Sequence, residues 1–171
     1  MVLSNGHSYF GNIWKTVRHH RLRCFRRRKN LYKAAKLIDL IAREGGGTAT
    51  YYAACYDERI KIAVPTCAVS TYKGSIGDMW HCTCNYIPSI AKYFDMGELS
   101  ALIAPRKLLV CNGEIDPIFP LSGTKEVYSI IEKIYKKEGV PENCQLKVYP
   151  NKPHYFDKEI TFSALNQLRD K

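Results

Sequence analysis

The chain has 171 residues, 46% of them hydrophobic, and carries a formal net charge of +10. That length and apolar content fit one domain with a buried core and exclude low-complexity or collagen-like architectures. The charge is local: residues 1–43 hold 11 Lys/Arg against the single acid Asp39, whereas residues 44–171 hold 15 of each sign, so the body of the chain is electrically ordinary.

The predicted elements begin after a basic amino-terminal segment, residues 1–36. Its run Arg18 to Lys29 shows little apolar periodicity, and Asn30 to Lys36 could add a short helix. From residue 37 to 171 the pattern becomes that of an α/β domain. Leu37 to Ala42 is a short apolar strand, Thr48 to Tyr56 a helix of small and aromatic residues, and Ile60 to Thr66 a second strand. The segment from Cys67 to Leu99 is irregular and rich in Tyr, Cys, Gly and Pro, with a helix expected near Ile87 to Tyr93; such segments often wall a site. Leu108 to Asn112 is a strand, Gly123 to Glu138 an amphipathic helix, Gln145 to Tyr149 a last strand and Phe162 to Leu168 a closing helix. Alternation of strand and helix predicts a parallel sheet with right-handed crossovers.

No apolar run approaches the roughly 18 residues of a membrane span, and the amino terminus lacks the apolar core of a secretory signal. A cytoplasmic protein without membrane contact is expected. The seven cysteines are odd in number and several sit in apolar surroundings, which predicts reduced, buried thiols. His81-Cys82-Thr83-Cys84 is the closest grouping of metal-ligand types, but no second pair stands at zinc spacing, so no metal or other cofactor is expected.

Chemistry concentrates where strands end. Lys36-Leu-Ile-Asp-Leu-Ile-Ala-Arg-Glu-Gly-Gly-Gly-Thr48 reads as a strand passing through a glycine turn into a helix, the setting of a hydrolase nucleophile, with Glu44 at the turn. Strand Leu108 to Asn112 leads into Gly113-Glu-Ile-Asp-Pro-Ile-Phe-Pro120, which puts Asp116 in a loop at a carboxyl edge. Strand Gln145 to Tyr149 leads into Pro150-Asn-Lys-Pro-His154, which puts His154 in the next. Nucleophile position, acid, histidine is the chain order of the α/β-hydrolase triad.

Six further stretches carry a family likeness: Gly45-Gly-Gly-Thr-Ala-Thr-Tyr-Tyr-Ala-Ala-Cys55, Asp57-Glu-Arg-Ile60, Ala63-Val-Pro65, Cys84-Asn-Tyr-Ile-Pro88, Ile103-Ala-Pro-Arg106 and Asn112-Gly-Glu-Ile-Asp116. The chain resembles the carboxyl-terminal half of α/β hydrolases of the acetyl xylan esterase or dienelactone hydrolase type. The resemblance implies a mainly parallel sheet flanked by helices and lacking the early strands, with Asp116 as the triad acid, His154 as the general base and the Gly45 amide as one oxyanion donor. Trp80, His81 and Tyr86 would contribute substrate contacts from the irregular wall. The substrate would be a small acyl ester or an acetylated carbohydrate, hydrolysed without a cofactor.

Two departures stand beside the likeness. The family elbow, Gly-x-Ser-x-Gly, is here Ala42-Arg43-Glu44-Gly45-Gly46, so the serine hydroxyl has become a carboxylate, with no proton for His154 to remove. Glu44 could itself attack carbon, but it is one methylene longer than the elbow aspartate of relatives that use a carboxylate. The first 36 residues are also too short and too basic to supply the early strands, and an exposed sheet edge would favour self-association. An inactivated enzyme is one expectation, with the chain a truncated and locally scrambled derivative of a longer esterase gene. The alternative class is binding: ten Lys/Arg between Lys15 and Lys36, with the aromatics Trp14, Phe25 and Tyr32 beside and among them, could hold nucleic acid or another acidic partner.

Overall fold

The computed structural model describes residues 38–43, 45–81 and 85–170, all within the unit Leu37–Lys171. The basic segment 1–36, Glu44 and residues 82–84 lie outside the described residues, and with them the expectations of a short amino-terminal helix, a basic binding arm and a carboxylate at the elbow.

The described sheet has four parallel strands in sequence order: β1 (Ile38–Arg43), β2 (Ile60–Thr66), β3 (Lys107–Gly113) and β4 (Cys144–Tyr149). Helix α1 (Gly45–Tyr56) joins β1 to β2. The short helix α2 (Met96–Leu99) precedes β3, α3 (Leu121–Lys137) joins β3 to β4, and α4 (Lys158–Arg169) closes the chain. Side chains alternate across a strand, and β3 accordingly feeds two cores. Leu108 and Val110 pack with Tyr51, Ala54, Val127, Ile131 and Tyr135 from α1 and α3. Leu109 and Cys111 pack with Ile62, Val64 and Tyr149 against Leu165 and Leu168 of α4. Buried tyrosine hydroxyls are satisfied within these layers: Tyr135 donates to the Arg106 carbonyl at 2.7 Å, and Tyr149 shares a 2.6 Å bond with Thr161.

The amino-terminal edge of the sheet is tied by one side chain. The Arg106 guanidinium donates to the carbonyls of Asp57 (3.0 Å) and Ile60 (2.7 Å) through Nη1, and to those of Ala54 (2.6 Å) and Leu102 (2.7 Å) through Nη2. Its planar fork thus satisfies carbonyls that the end of α1 leaves without helical partners, and joins them to the strand that follows.

The irregular segment departs most from expectation. The helix expected near Ile87 to Tyr93 is a single 3-10 turn, Ile90–Lys92, because Pro88 disfavours helical backbone before it and Ser89 is left-handed at φ 63°. Helix α2 follows instead, opened by a capping box in which Asp95 and Glu98 satisfy each other's backbone amides. That box was readable as Asp-x-x-Glu. Helix α1 also starts three residues earlier than expected, taking the glycines of the turn into its first turn.

Candidate active site

Strand register brings the working loops to one edge. Arg43 pairs with Thr66, Thr66 with Cys111, and Cys111 with Lys147, so the loops after all four strands leave the sheet at its carboxyl end. Adjacent strands lie ~4.8 Å apart, which sets the elbow strand about 10 Å from the strand that carries the acid.

The acid loop is built around Asp116. Its Oδ1 accepts from the backbone N–H groups of Ile118 (2.8 Å) and Phe119 (3.0 Å), so the side chain folds its own loop. The buried Asn112 amide donates to the carbonyls of Phe119 (2.9 Å) and Gly113 (3.1 Å) and closes the same loop from beneath. The histidine loop is laced to it: Glu114 N–H donates to the Tyr149 carbonyl and Ile115 N–H to that of Lys152, each at 3.0 Å, while Asn151 N–H donates to Glu114 Oε2 at 2.8 Å. Asn151 takes the left-handed conformation, φ 53°, that its short amide side chain tolerates.

These loops bring Asp116 and His154 together. His154 Nδ1 lies 2.9 Å from Asp116 Oδ2 and 3.1 Å from Oδ1, with the carboxylate fully covered and the imidazole one-tenth exposed. Burial pushes the Asp116 carboxyl up, but the hydrogen bonds from His154, Phe119 and Ile118 outweigh it and hold the group below its ordinary value. An ionised acid on Nδ1 favours the tautomer that carries its proton there, a geometry that general-base chemistry can use. Phe119 lies against the ring at a centroid distance of 6.1 Å and 22° between planes.

The wall residues separate into two kinds. His81 is buried, its Nε2 3.3 Å from the Ser75 hydroxyl and its ring edge-on to Phe119 at 5.2 Å, so it sits behind the dyad as part of the packing. Burial holds its pKa below the ordinary value. Trp80 is 87% exposed and tilted against Tyr86 at 6.2 Å, and Tyr86 accepts from His81 N–H at 2.9 Å. Tyr86 also lines an open, mostly apolar cavity of about 650 Å³ with Tyr72, Ile76, Ile87 and Ile90. A second cavity, about 620 Å³, lies among Lys61, Arg106, Lys107 and Arg169 at the amino ends of the strands, the edge opposite the dyad. Two serines near the site are buried: Ser75, which donates its hydroxyl to the Ile118 carbonyl at 2.6 Å, and Ser70.

Gly45 opens α1 directly after the elbow, so its amide belongs to the first turn, whose N–H groups lack intrahelical partners and carry the positive end of the helix dipole. Three residues at the site were not anticipated as participants: Asn112, Phe119 and Cys67. Cys67 follows β2 with a left-handed backbone, φ 50°, its N–H bonded to the Cys111 carbonyl at 2.8 Å and its Sγ 3.3 Å from the Tyr155 carbonyl. Burial, reinforced by the Asp116 charge, pushes the thiol up to about 12. Its signal in the sequence was only its place, one residue beyond a strand that ends in Pro65-Thr66. The described cysteines 67, 111 and 144 are free and buried, and Cys55 is buried, and no helix among the described residues is long and apolar enough to cross a membrane.

No protein-family model matches the chain. Among curated proteins it is 28% identical over 135 residues to YtaP of Bacillus subtilis (strain 168), a provisionally named hydrolase; the match takes in 77% of this chain and 45% of that protein. Among solved structures it is similar to a carbohydrate esterase family 15 glucuronoyl esterase from Caldicellulosiruptor kristjansonii, with TM-score 0.59, 19% identity, and coverage of 77% of this chain and 41% of that one. The glucuronoyl esterase catalytic domain of Hypocrea jecorina gives 0.63, 18%, 76% and 42%. A methylesterase gives 0.63, 21%, 78% and 29%. The chain therefore spans less than half the length of each of these relatives, and the likeness shows the fold, that of an α/β hydrolase.

Proposed function

We propose that this α/β-hydrolase chain is a carboxylester hydrolase domain that retains its acid and base but lacks the elbow hydroxyl, and is therefore a disabled esterase in its natural sequence. The observation that carries this reading is the Asp116–His154 pair: a buried carboxylate held by two backbone amides, bonded to Nδ1 of the histidine in the loop after the next strand. A structural ion pair would not need so specific a frame. In a working ester hydrolase, Nε2 of His154 would take the proton of the attacking hydroxyl and return it to the leaving alcohol. Asp116 would stabilise the imidazolium, and the Gly45 amide would donate to the oxyanion. Residue 44 is glutamate, and a carboxylate offers His154 no proton in that first step.

The site wall is compatible with the substrate class that the family resemblance implies. Exposed Trp80 and Tyr86 offer aromatic faces beside a mostly apolar cavity, suited to a small acyl or acetylated carbohydrate ester. The esterase neighbours named above lie below 25% identity and do not narrow this further.

The deciding experiment is hydrolysis of a chromogenic acetate ester by the parent, Glu44→Ser, and the double variants Glu44→Ser with His154→Ala or Asp116→Asn, with folding checked by circular dichroism. The expected result is an inert parent, activity in Glu44→Ser, its loss with His154→Ala, and a fall of about 10³–10⁴-fold with Asp116→Asn. Parent activity that His154→Ala abolishes would overturn the disabled reading and return Glu44 as a carboxylate nucleophile. Silence from a well-folded Glu44→Ser would overturn the esterase reading itself.

A further inference from the structure

We propose that Cys67, Asp116 and His154 form a binding site for one Zn²⁺ ion, which enters in place of the Asp116–His154 hydrogen bond. Each of the three residues offers a donor atom, and these atoms lie within 4.8 Å of one another. They come from loops after three successive strands, β2, β3 and β4, so their convergence is a product of the tertiary fold rather than of a local sequence motif.

The geometry suits a small tetrahedral ion. Zinc bonds of about 2.3 Å to sulfur and about 2.0–2.1 Å to nitrogen and oxygen place ligand atoms roughly 3.3–3.6 Å apart. The Nδ1 to Oδ2 distance is 2.9 Å and would open slightly, while Cys67 Sγ would close in by rotation of one side-chain torsion. The carboxylate is already divided for the purpose. Oδ1 is held by the Ile118 and Phe119 amides, which leaves Oδ2 to a metal and supplies the outer support that metal-binding carboxylates need. A thiolate, an imidazole and a carboxylate together select zinc over magnesium or calcium, whose ligands are oxygens. A water completes the fourth position.

The protons balance as follows. The Cys67 thiol loses its proton to solvent on forming the Zn–S bond. The His154 ring loses its Nδ1 proton to solvent as the metal takes that nitrogen and gains one from solvent at Nε2, a change of tautomer with no net proton, so the one proton released per ion bound is that of the Cys67 thiol. In the loaded form Nδ1 is committed to zinc and Nε2 carries a proton, which removes the base. Zinc would therefore be a reversible off-switch for the dyad. The binding itself is independent of whether residue 44 supports turnover, so it can fail or succeed separately from the esterase reading.

The test is metal titration of the full-length chain, with Co²⁺ as the spectroscopic probe and Zn²⁺ affinity measured against a chromogenic chelator. One equivalent of Co²⁺ should give a thiolate charge-transfer band together with tetrahedral d–d bands. Cys67→Ser should abolish the charge-transfer band, and Cys67→Ser and His154→Gln should each weaken Zn²⁺ about 100-fold or more. Cys84→Ser and His81→Gln should leave both readouts unchanged. A band that survives Cys67→Ser, or a Zn²⁺ affinity equal in parent, Cys67→Ser and His154→Gln, would overturn the proposal. If Cys67→Ser does not fold, His154→Gln decides: a zinc-dependent rise in Tm should be present in the parent and absent from that variant, and its persistence there would sink the site.

Discussion

Gly113 stands so close to Pro153 that a β-carbon at position 113 would lie 2.0 Å from the Pro153 carbonyl oxygen and 2.5 Å from that of Lys152. The last residue of the acid's strand is thus in backbone contact with the loop that presents the histidine. Only glycine permits that approach, and the approach sets the Asp116–His154 distance.

Gly113→Ala should therefore act on the dyad before it acts on the core. We expect a loss of about 1–3 kcal/mol in stability from overpacking, measured by urea denaturation. The low-field proton resonance of His154 Nδ1–H should shift or broaden. An unchanged resonance would show that the loop can yield without moving the ring.

Asn112→Ala removes the donor that closes the acid loop on the Phe119 carbonyl. With a buried carbonyl left unpaired, stability should fall by about 1–3 kcal/mol. In a Glu44→Ser background, ester hydrolysis should fall through kcat with KM little altered, since the loop orients the base rather than holding substrate.

The His81 pKa is depressed by burial and by the nearby His154 charge, against opposing contributions from Ser75 and Asp116. A depressed folded value means that the unfolded chain takes up the proton first as pH falls. The stability associated with the neutral ring is therefore complete above the ordinary value of 6.5 and is lost as pH falls from there to the folded value. Thermal unfolding between about pH 7.5 and 5.5 should show a steeper loss for the parent than for His81→Gln, which cannot titrate in that window. Parallel curves would contradict the assignment.

Leu165 of α4 is 1% exposed and packs on the sheet face opposite α1 and α3. Leu165→Ala should cost about 2–5 kcal/mol through lost burial and the cavity left behind, read by denaturant midpoint.

Much of the fold was legible because strands buried on both faces read as continuous apolar runs: all four strands were located to within a residue or so of their ends. The wall was not, because Pro88 and a left-handed Ser89 override what periodicity suggests between Ile87 and Tyr93. The Asp116 and His154 positions could be chosen because carboxyl-edge loops are where such a sheet converges. Their contact, and the presence of Cys67 beside them, depends on strand register and on the glycine at 113, neither of which a linear sequence displays. The elbow differs again. Its strand ends at Arg43, one residue beyond expectation, and its helix starts at Gly45, three residues before it, while Glu44 between them lies outside the described residues.

The four carbonyls gathered by Arg106 lie at the end of the sheet remote from the dyad. The side chain that ties the frame and the Asp116–His154 pair are therefore housed at opposite poles of the sheet. Substitutions in the loops at one pole can accordingly be accommodated with little threat to the carbonyl ties at the other.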